Sequence, residues 1–319
     1  MGFLCLPCLI INLRGGKTVC GIAGIINKNE SKLASTIIDI LSLIQHRGPD
    51  ATGIAFYDRH LEADAKSLRL SLSDINARLK LNDLITEYGA KVSKESSEVN
   101  KNFSFLDMKL DIDEENISGL HAAINKTEAL YVHSIGKSCR VYKDIGSAVE
   151  LWKNHQIEEE SASHGLGHVR MATESAEDIN AAHPFVSPFY SDLSIVHNGQ
   201  LTNYFNLRRE LESKGAIFKT MNDSEAASHL ISYKMKENGG DLEDALHYSL
   251  EKLDGIFCIL AATSDQMGFV KDKMGIKPLL VFEKDGIILM GSEQIEFTPI
   301  FDDIYAREME PSEVRVWSI

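Results

Sequence analysis

Apolar residues fall in short runs along this chain, and the spacing within the runs changes from one to the next. Cys20 to Lys28 reads CGIAGIINK, a nearly continuous apolar run with glycines at 21 and 24, which predicts a buried strand approached closely by another backbone. From Ser31 to Ile44 the residues Leu33, Ile37, Ile40, Leu41 and Ile44 recur at helical spacing and predict an amphipathic helix. HRGPD at 46–50 breaks that pattern, because Gly48 and Pro49 suit a loop, and Thr52 to Tyr57 predicts the next strand.

Residues 61–160 are the least regular part. A helix is expected around Ile75 to Tyr88, and the polar run Lys91 to Asn102 reads as loop or mobile insert. Ala129 to Ile135 and Cys139 to Tyr142 predict paired short strands around a Gly136-Lys137 turn. The acidic Glu158 to Glu160 reads as a solvated face. From Gly165 the pattern tightens into GLGHVRMAT, AAHPF and LSIVHNGQL, followed by a helix from Tyr204 to Lys214. A second amphipathic helix runs through Ile231, with Asp223 or Ser224 suited to cap its first turn. GIFCILAA, QMGFVKD, LLVFEKDGIILMG and VRVWSI complete a strand-rich end with tight turns. Two early strands, clustered helices and many late strands imply an α+β sandwich rather than a βαβ repeat.

The 319 residues allow one large domain or two small ones. Apolar residues make up 44% and charged residues 25%, which excludes a largely disordered, fibrous or disulfide-stapled chain. With 47 acidic against 33 basic side chains the formal charge is −14, so a broad phosphate-binding surface is disfavoured and nucleic acid is not an expected partner. No run approaches the ~18 apolar residues of a membrane span, so no membrane partner is expected. Cys5, Cys8, Cys20, Cys139 and Cys258 are sparse and odd in number, which fits a reducing compartment and makes the cytoplasm the expected location.

The first nineteen residues are expected to be absent from the working protein. The apolar run Phe3 to Ile11 has no basic residue before it and no small-residue cleavage site, so it makes a poor signal peptide. Cys5 and Cys8 form a CxxC pair, but no second ligand pair stands nearby to favour a metal. Either residues 1–19 are a propeptide, or translation starts at the codon read as Val19. The second route is favoured, since Arg14-Gly15-Gly16-Lys17 is what a purine-rich ribosome-binding site would spell. By both routes Cys20 becomes the first residue of a single domain, 20–319, with an insertion at about 61–160.

Several polar residues then stand beside glycine at the ends of apolar runs: Cys20, Arg47-Gly48, Arg170 with Thr173, Asn198-Gly199, and Asp223. Their order and wording, in CGIAGI, QHRGPDATG, GHVRMAT with HPF, VHNGQLTN, NDSEA, LDGIFCILA, KDKMGIKPL and GSE at 291–293, resemble the class II glutamine amidotransferase domain, an N-terminal-nucleophile hydrolase. The resemblance runs from Cys20 to about Glu293, with 61–160 matching poorly. It implies a four-layer αββα sandwich.

The chemistry agrees with that likeness. A cysteine at a chain start carries its own base, because a free α-amine has a reference pKa near 7.7 to 8.0 and can accept the thiol proton. An internal Cys20 has an amide there and should be inactive. The resemblance assigns Asn198 and the backbone amide of Gly199 to an oxyanion hole, though an Asn-Gly pair also suits a tight turn after a strand ending at His197. Free glutamine is a zwitterion, and the resemblance gives its carboxylate to Arg170, its ammonium to Asp223 and a rim contact to Thr173. Arg47 and Asp50 take supporting roles. Met171 stands where relatives often carry an aromatic. His168, His183 and His197 lack a metal-binding spacing, no metal is expected, and Cys258 reads as an inert core thiol.

The implied reaction is hydrolysis of L-glutamine to L-glutamate and ammonia through a γ-glutamyl thioester on Cys20. No region the size of a synthase domain follows, so the ammonia acceptor is expected on another chain. ALYVHSIGKSCRVYKDIG is similar to the stand-alone amidotransferase subunits of split glutamate synthase or N-methylglutamate synthase. The HRGPD and HVR wording also echoes asparagine synthetase and amidophosphoribosyltransferase, which carry their synthase domains in the same chain. With no cysteine cluster and no Gly-rich nucleotide loop, no cofactor is expected here, and FMN, iron–sulfur or nicotinamide sites fall to partner subunits. The alternatives are a catalytically inactive regulatory or scaffold subunit that kept the fold, and an amidase acting on another amide. The joint presence of Cys20, Arg170, Asn198, Gly199 and Asp223 disfavours the first, and the Arg170 and Asp223 pair disfavours the second.

Overall fold

The computed structural model describes residues 20–58, 65–100, 103–155, 157, 161–171 and 178–319. The first apolar run forms strand β1, Gly21–Lys32, and helix α1, Leu33–Leu43, follows with Leu33, Ile37, Ile40 and Leu41 buried as the spacing requires. The helix starts at Leu33 and not at Ser31 because the backbone at Ser31 and Lys32 still pairs with Ala162 and Ser161. HRGPD contributes a single 3-10 turn, Gln45–Arg47, before strand β2, Ala51–Asp58.

The irregular stretch is an ordered module. Strand β3, Lys66–Leu72, leads to helix α2, Ala77–Glu87, strands β4, Lys91–Asn100, and β5, Phe103–Asp111, helix α3, Glu114–Lys126, and strand β6, Leu130–Gly136. The strands form one antiparallel sheet in the order β4-β5-β3-β6. This β-α-β-β-α-β path is a split βαβ unit. Leu68, Leu70, Leu106 and Met108 meet Leu81 and Leu120 of the helices in a core of their own.

Two expectations fail in this module. The polar run at 91–102 is not a loop, since 91–100 is strand β4. As an edge strand it exposes most side chains, so it lacks the apolar alternation that marks a half-buried strand, and its order comes from pairing with β5. The second failure is the hairpin at 129–142. Strand β7, Cys139–Ile145, pairs with β2, whereas β6 pairs with β3, so the Gly136-Lys137 turn carries the chain from one sheet into another. Asp192 takes the turn's amides, accepting from the backbone N–H of Lys137, Ser138 and Cys139 at 2.7, 3.0 and 2.8 Å.

After helix α4, Ala148–His155, come strands β8, Ser161–Arg170, β9, Phe185–Val186, and β10, Ser194–Leu201. Helices α5, Tyr204–Ser213, α6, Asp223–Glu237, and α7, Leu242–Lys252, precede strands β11, Gly255–Ala262, and β12, Gln266–Lys271. Strands β13, Leu280–Lys284, and β14, Ile287–Gly291, are joined at Asp285 and Gly286, both at positive φ as a tight hairpin requires. Short strand β15, Arg307–Glu308, and strand β16, Val314–Ser318, complete the order. The cap of α6 is Asn222, whose side chain accepts from Ser224 N–H at 2.9 Å, rather than Asp223 or Ser224.

The larger sheet runs β15-β13-β14-β1-β8-β2-β7 and the smaller β16-β12-β11-β10-β9. Ile22, Ile26 and Leu166 of the first meet Val196, Leu260 and Phe269 of the second between them. Helix α1 covers the outer face of the larger sheet through Ile37 and Leu41, and α5 to α7 cover the smaller through Leu207, Ile231 and Leu246. The result is the expected four-layer αββα sandwich. The split βαβ module docks beside it through Arg69, which pairs with Glu98 and Asp107 and lies 4.2 Å from the Tyr142 ring centroid. Among the described residues no helix is long and apolar enough to cross a membrane.

Candidate active site

Cys20 stands immediately before β1, half-buried. Its carbonyl oxygen accepts from Arg47 Nε and from Asn198 Nδ2, each at 3.1 Å. Arg47 reaches it because the HRGPD loop lies flat on the end of β8. A Cβ at Gly48 would come within 2.4 Å of the Val169 carbonyl carbon, so only glycine fits there. Asp50 donates its backbone N–H to the Arg170 carbonyl at 3.0 Å, which ties the same loop to the last residue of β8. Arg47 also pairs with Glu293, and Glu293 takes His46 Nε2 at 3.3 Å. Ser292 Oγ accepts Ile22 N–H at 3.0 Å and lies 3.3 Å from Asn198 Nδ2.

Burial pushes the Cys20 thiol up from its ordinary value, and four groups act against that: the Met171 backbone N–H first, then the positive charges of Arg170, Lys277 and Arg47. Cys139 and Cys258 differ in kind, for burial pushes both to about 12 and neither faces such a set of cations.

Asn198 and Gly199 lie inside β10, not in a turn after it, and pair with Cys258 and Phe257 of β11. A Cβ at Gly199 would lie 2.0 Å from Ile256 O and 2.8 Å from His197 Nε2, and its φ is +150°, so the glycine is demanded by close approach. Phe257, its register partner, turns its N–H and C=O to Asp272 at 3.0 and 2.9 Å. Two residues along β10, Leu201 N–H donates to Asp223 Oδ2 at 2.8 Å. Asp223 Oδ1 lies 3.9 Å from His197 Nδ1, whose nearer partner is Ser224 Oγ at 2.8 Å. The first residue of α6 is thereby tied to the strand carrying Asn198 and Gly199.

Behind this strand His168 and His183 stack with ring centroids 3.9 Å apart. Burial lowers His168 to about 3 and His183 well below its ordinary value, so both imidazoles are neutral. Among the described residues no group of three or more His, Cys, Asp or Glu is arranged to hold a metal ion.

Of the residues singled out from sequence, Cys20, Arg47 and Asn198 are in contact, and Arg170 acts on Cys20 through its charge. Gly199 and Asp223 join them through β10, and Asp50 is linked to Arg170 through its backbone N–H. Thr173 lies outside the described residues. Sequence reasoning gave no role to Ser292, Glu293, Lys277 or the Met171 amide. The GSE and KDKMGIKPL segments were the available signals, but which of their side chains turn toward Cys20 depends on pairing with β1 and β11.

A glutamine amidotransferase domain model matches residues 168–298. The chain is 33% identical to a putative glutamine amidotransferase of Methanothermobacter thermautotrophicus, over 94% of this chain and 100% of that protein. It is 32% identical to the glutamine amidotransferase-like protein GlxB of Rhizobium meliloti, over 94% of this chain and 98% of the relative. Among solved structures, glutamine phosphoribosylpyrophosphate amidotransferase from B. subtilis superposes with a TM-score of 0.58 at 22% identity, covering 93% of this chain and 47% of that one. The likeness to that structure is one of fold, and this chain spans about half its length.

Proposed function

Because the chain belongs to the class II glutamine amidotransferases, enzymes of the cysteine-hydrolase type, we propose that it hydrolyses L-glutamine to L-glutamate and ammonia through a γ-glutamyl thioester on Cys20. In a chain that begins at Cys20, the thiol gives its proton to the α-amine and the sulfur attacks the γ-carboxamide carbon. The C–N bond breaks as the nitrogen takes that proton and leaves as ammonia. Water then adds to the thioester, returning a proton to sulfur and releasing glutamate.

The observation that carries this reading is the convergence of Arg47 Nε and Asn198 Nδ2 on the Cys20 carbonyl oxygen. Two donors fixing that carbonyl support a residue whose sulfur and nitrogen are held for chemistry. Asn198 Nδ2 and the Gly199 N–H serve the oxyanion, Arg170 the substrate carboxylate, Asp223 its ammonium and Thr173 the rim, with Arg47 and Asp50 in support. Ammonia passes to a separate synthase subunit, glutamate synthase-like in kind, and any flavin, iron–sulfur or nicotinamide site belongs to that partner. Support for a separate acceptor chain comes from two relatives covered almost end to end by this one.

The test is mass-resolved labelling by a diazo-ketone analogue of glutamine, together with ammonia release. A chain beginning at Cys20 should take one adduct on Cys20 and release ammonia from glutamine. The Cys20→Ala variant and the unprocessed chain should do neither. Absence of the adduct from the chain that begins at Cys20 sinks the proposal.

A further inference from the structure

Strand β14 ends at Gly291, which pairs with Ala23 of β1, and the next two residues turn into the site. Each of them holds one of the two donors that meet on the Cys20 carbonyl oxygen. Glu293 pairs with Arg47, whose Nε reaches that oxygen at 3.1 Å. Ser292 holds Asn198, whose Nδ2 reaches the same oxygen at 3.1 Å and Ser292 Oγ at 3.3 Å. The two residues are themselves anchored. Glu293 N–H donates to Oε1 of the buried Glu296 at 2.8 Å, and Ser292 N–H donates to Ile22 O at 3.2 Å.

The Ser292 side chain is buried, and every hydrogen-bonding position of its hydroxyl is used. A hydroxyl offers one donor and two acceptor lone pairs. Ser292 Oγ accepts from Ile22 N–H at 3.0 Å and donates its one hydrogen to Ile22 O at 3.5 Å. A backbone N–H only donates and a carbonyl only accepts, so Ile22 fixes which way the hydroxyl turns, and the lone pair that is left faces Asn198 and calls for a donor. The Asn198 amide therefore stands between two acceptors, Ser292 Oγ and the Cys20 carbonyl oxygen, and Nδ2 carries one hydrogen for each. Asn198 Oδ1 is buried and makes no hydrogen bond among the described residues, so these two contacts orient the amide. Held by one of them alone, the amide is free to turn about it.

We propose that Ser292 is a positioning residue for Asn198: its hydroxyl, locked by the Ile22 backbone, holds the second N–H of Asn198 Nδ2 so that the first stays aimed at Cys20. A donor aimed in advance stabilises developing charge without having to reorient during the reaction. The assignment rests on the reading of Cys20 as nucleophile and of Asn198 as oxyanion donor.

The experiment measures kcat and KM for ammonia release from glutamine in chains beginning at Cys20, with Ser292→Ala introduced into the wild type and into Asn198→Ala. In the wild type, kcat should fall about 3- to 10-fold while KM stays within about 2-fold. In Asn198→Ala the same substitution should cost less than about 2-fold, because no amide is left to orient. Ser292→Cys fills the space of the serine but offers only a weak acceptor, so it should lose activity as the alanine variant does, and it carries the test if the alanine variant does not fold. Equal fold-losses in the two backgrounds overturn the proposal, since Ser292 would then act through Ile22 and β1 and not through Asn198. An unchanged kcat or a loss confined to KM overturns it as well. So does a Ser292→Cys variant as fast as the wild type, which would mean that the filled space matters and the acceptor does not. If the glutaminase reading itself is wrong, the wild-type chain beginning at Cys20 releases no ammonia, whereas failure of the Ser292 assignment leaves that activity intact.

Discussion

Asn198 donates its side-chain amide to the carbonyl oxygen of Cys20 at 3.1 Å across 178 residues of sequence, and in doing so joins the smaller sheet to the start of the larger one. The same nitrogen lies 3.3 Å from Ser292 Oγ, while Asn198 Oδ1 is buried and makes no hydrogen bond among the described residues. An amide held by its nitrogen is oriented as a donor toward the cysteine. Asn198→Ala in a chain beginning at Cys20 is expected to lower kcat for ammonia release by about 10²- to 10³-fold with little change in KM. Steady-state kinetics with glutamine decide it, and a change confined to KM would place Asn198 in ground-state binding instead.

Gly199→Ala tests the strand rather than the donor. Its Cβ would meet the Ile256 carbonyl oxygen at 2.0 Å, and backbone cannot swing aside as a flexible side chain would. The expected loss is about 2 to 4 kcal/mol of stability, seen as a lower urea midpoint with little change of slope. Glutaminase activity should fall as well, because a displaced β10 carries Asn198 and the Leu201 contact to Asp223 with it.

Much of this architecture is legible in the sequence wherever burial is one-sided. Leu33, Ile37, Ile40 and Leu41 mark α1, and the apolar runs at 255–262 and 266–271 mark β11 and β12, because each hides one face or both. Strand β4 was illegible for the opposite reason, since an edge strand with exposed Lys, Ser and Glu has no apolar period. The course of the chain at Gly136 was hidden too, because it depends on Asp192, a carboxylate more than fifty residues away. At the site, glycines at 48 and 199 and the polar residues beside them carried a signal. Ser292 and Glu293 acquire their places only through pairing of β14 with β1, a relation with no local trace.

Arg69 is the point at which the split βαβ module can be loosened. Its side chain is 3% exposed, pairs with Glu98 and Asp107, and stacks on Tyr142. Arg69→Met leaves two carboxylates facing each other without their cation. The expected cost is about 2 to 4 kcal/mol, below the fully buried case because both carboxylates keep part of their surface in water. Hydrogen exchange should quicken across β3 to β6 more than across β10 and β11, and a uniform increase would show that the module is not a separable unit.

Glu296 gives a prediction whose sign depends on pH. Its side chain is fully buried, Oε1 accepts from Glu293 N–H at 2.8 Å, and Oε2 lies against Gly291 with no hydrogen bond among the described residues. Burial, the largest influence, raises its carboxyl well above the ordinary glutamate value, against the backbone donors of Glu293 and Ser292 that favour the anion. The folded chain therefore keeps a proton that the unfolded chain releases above about pH 4.5. Between those two values the native state binds more protons than the unfolded one, so stability declines as pH rises. Glu296→Gln removes this dependence while an amide oxygen can still accept from Glu293. The variant should match the wild type near pH 4.5 and become progressively more stable than it toward pH 8, measured as the difference in urea midpoint at each pH. A constant difference across the range would mean that Glu296 is ionised in the fold, with the backbone donors and the positive charge of Arg47 outweighing its burial.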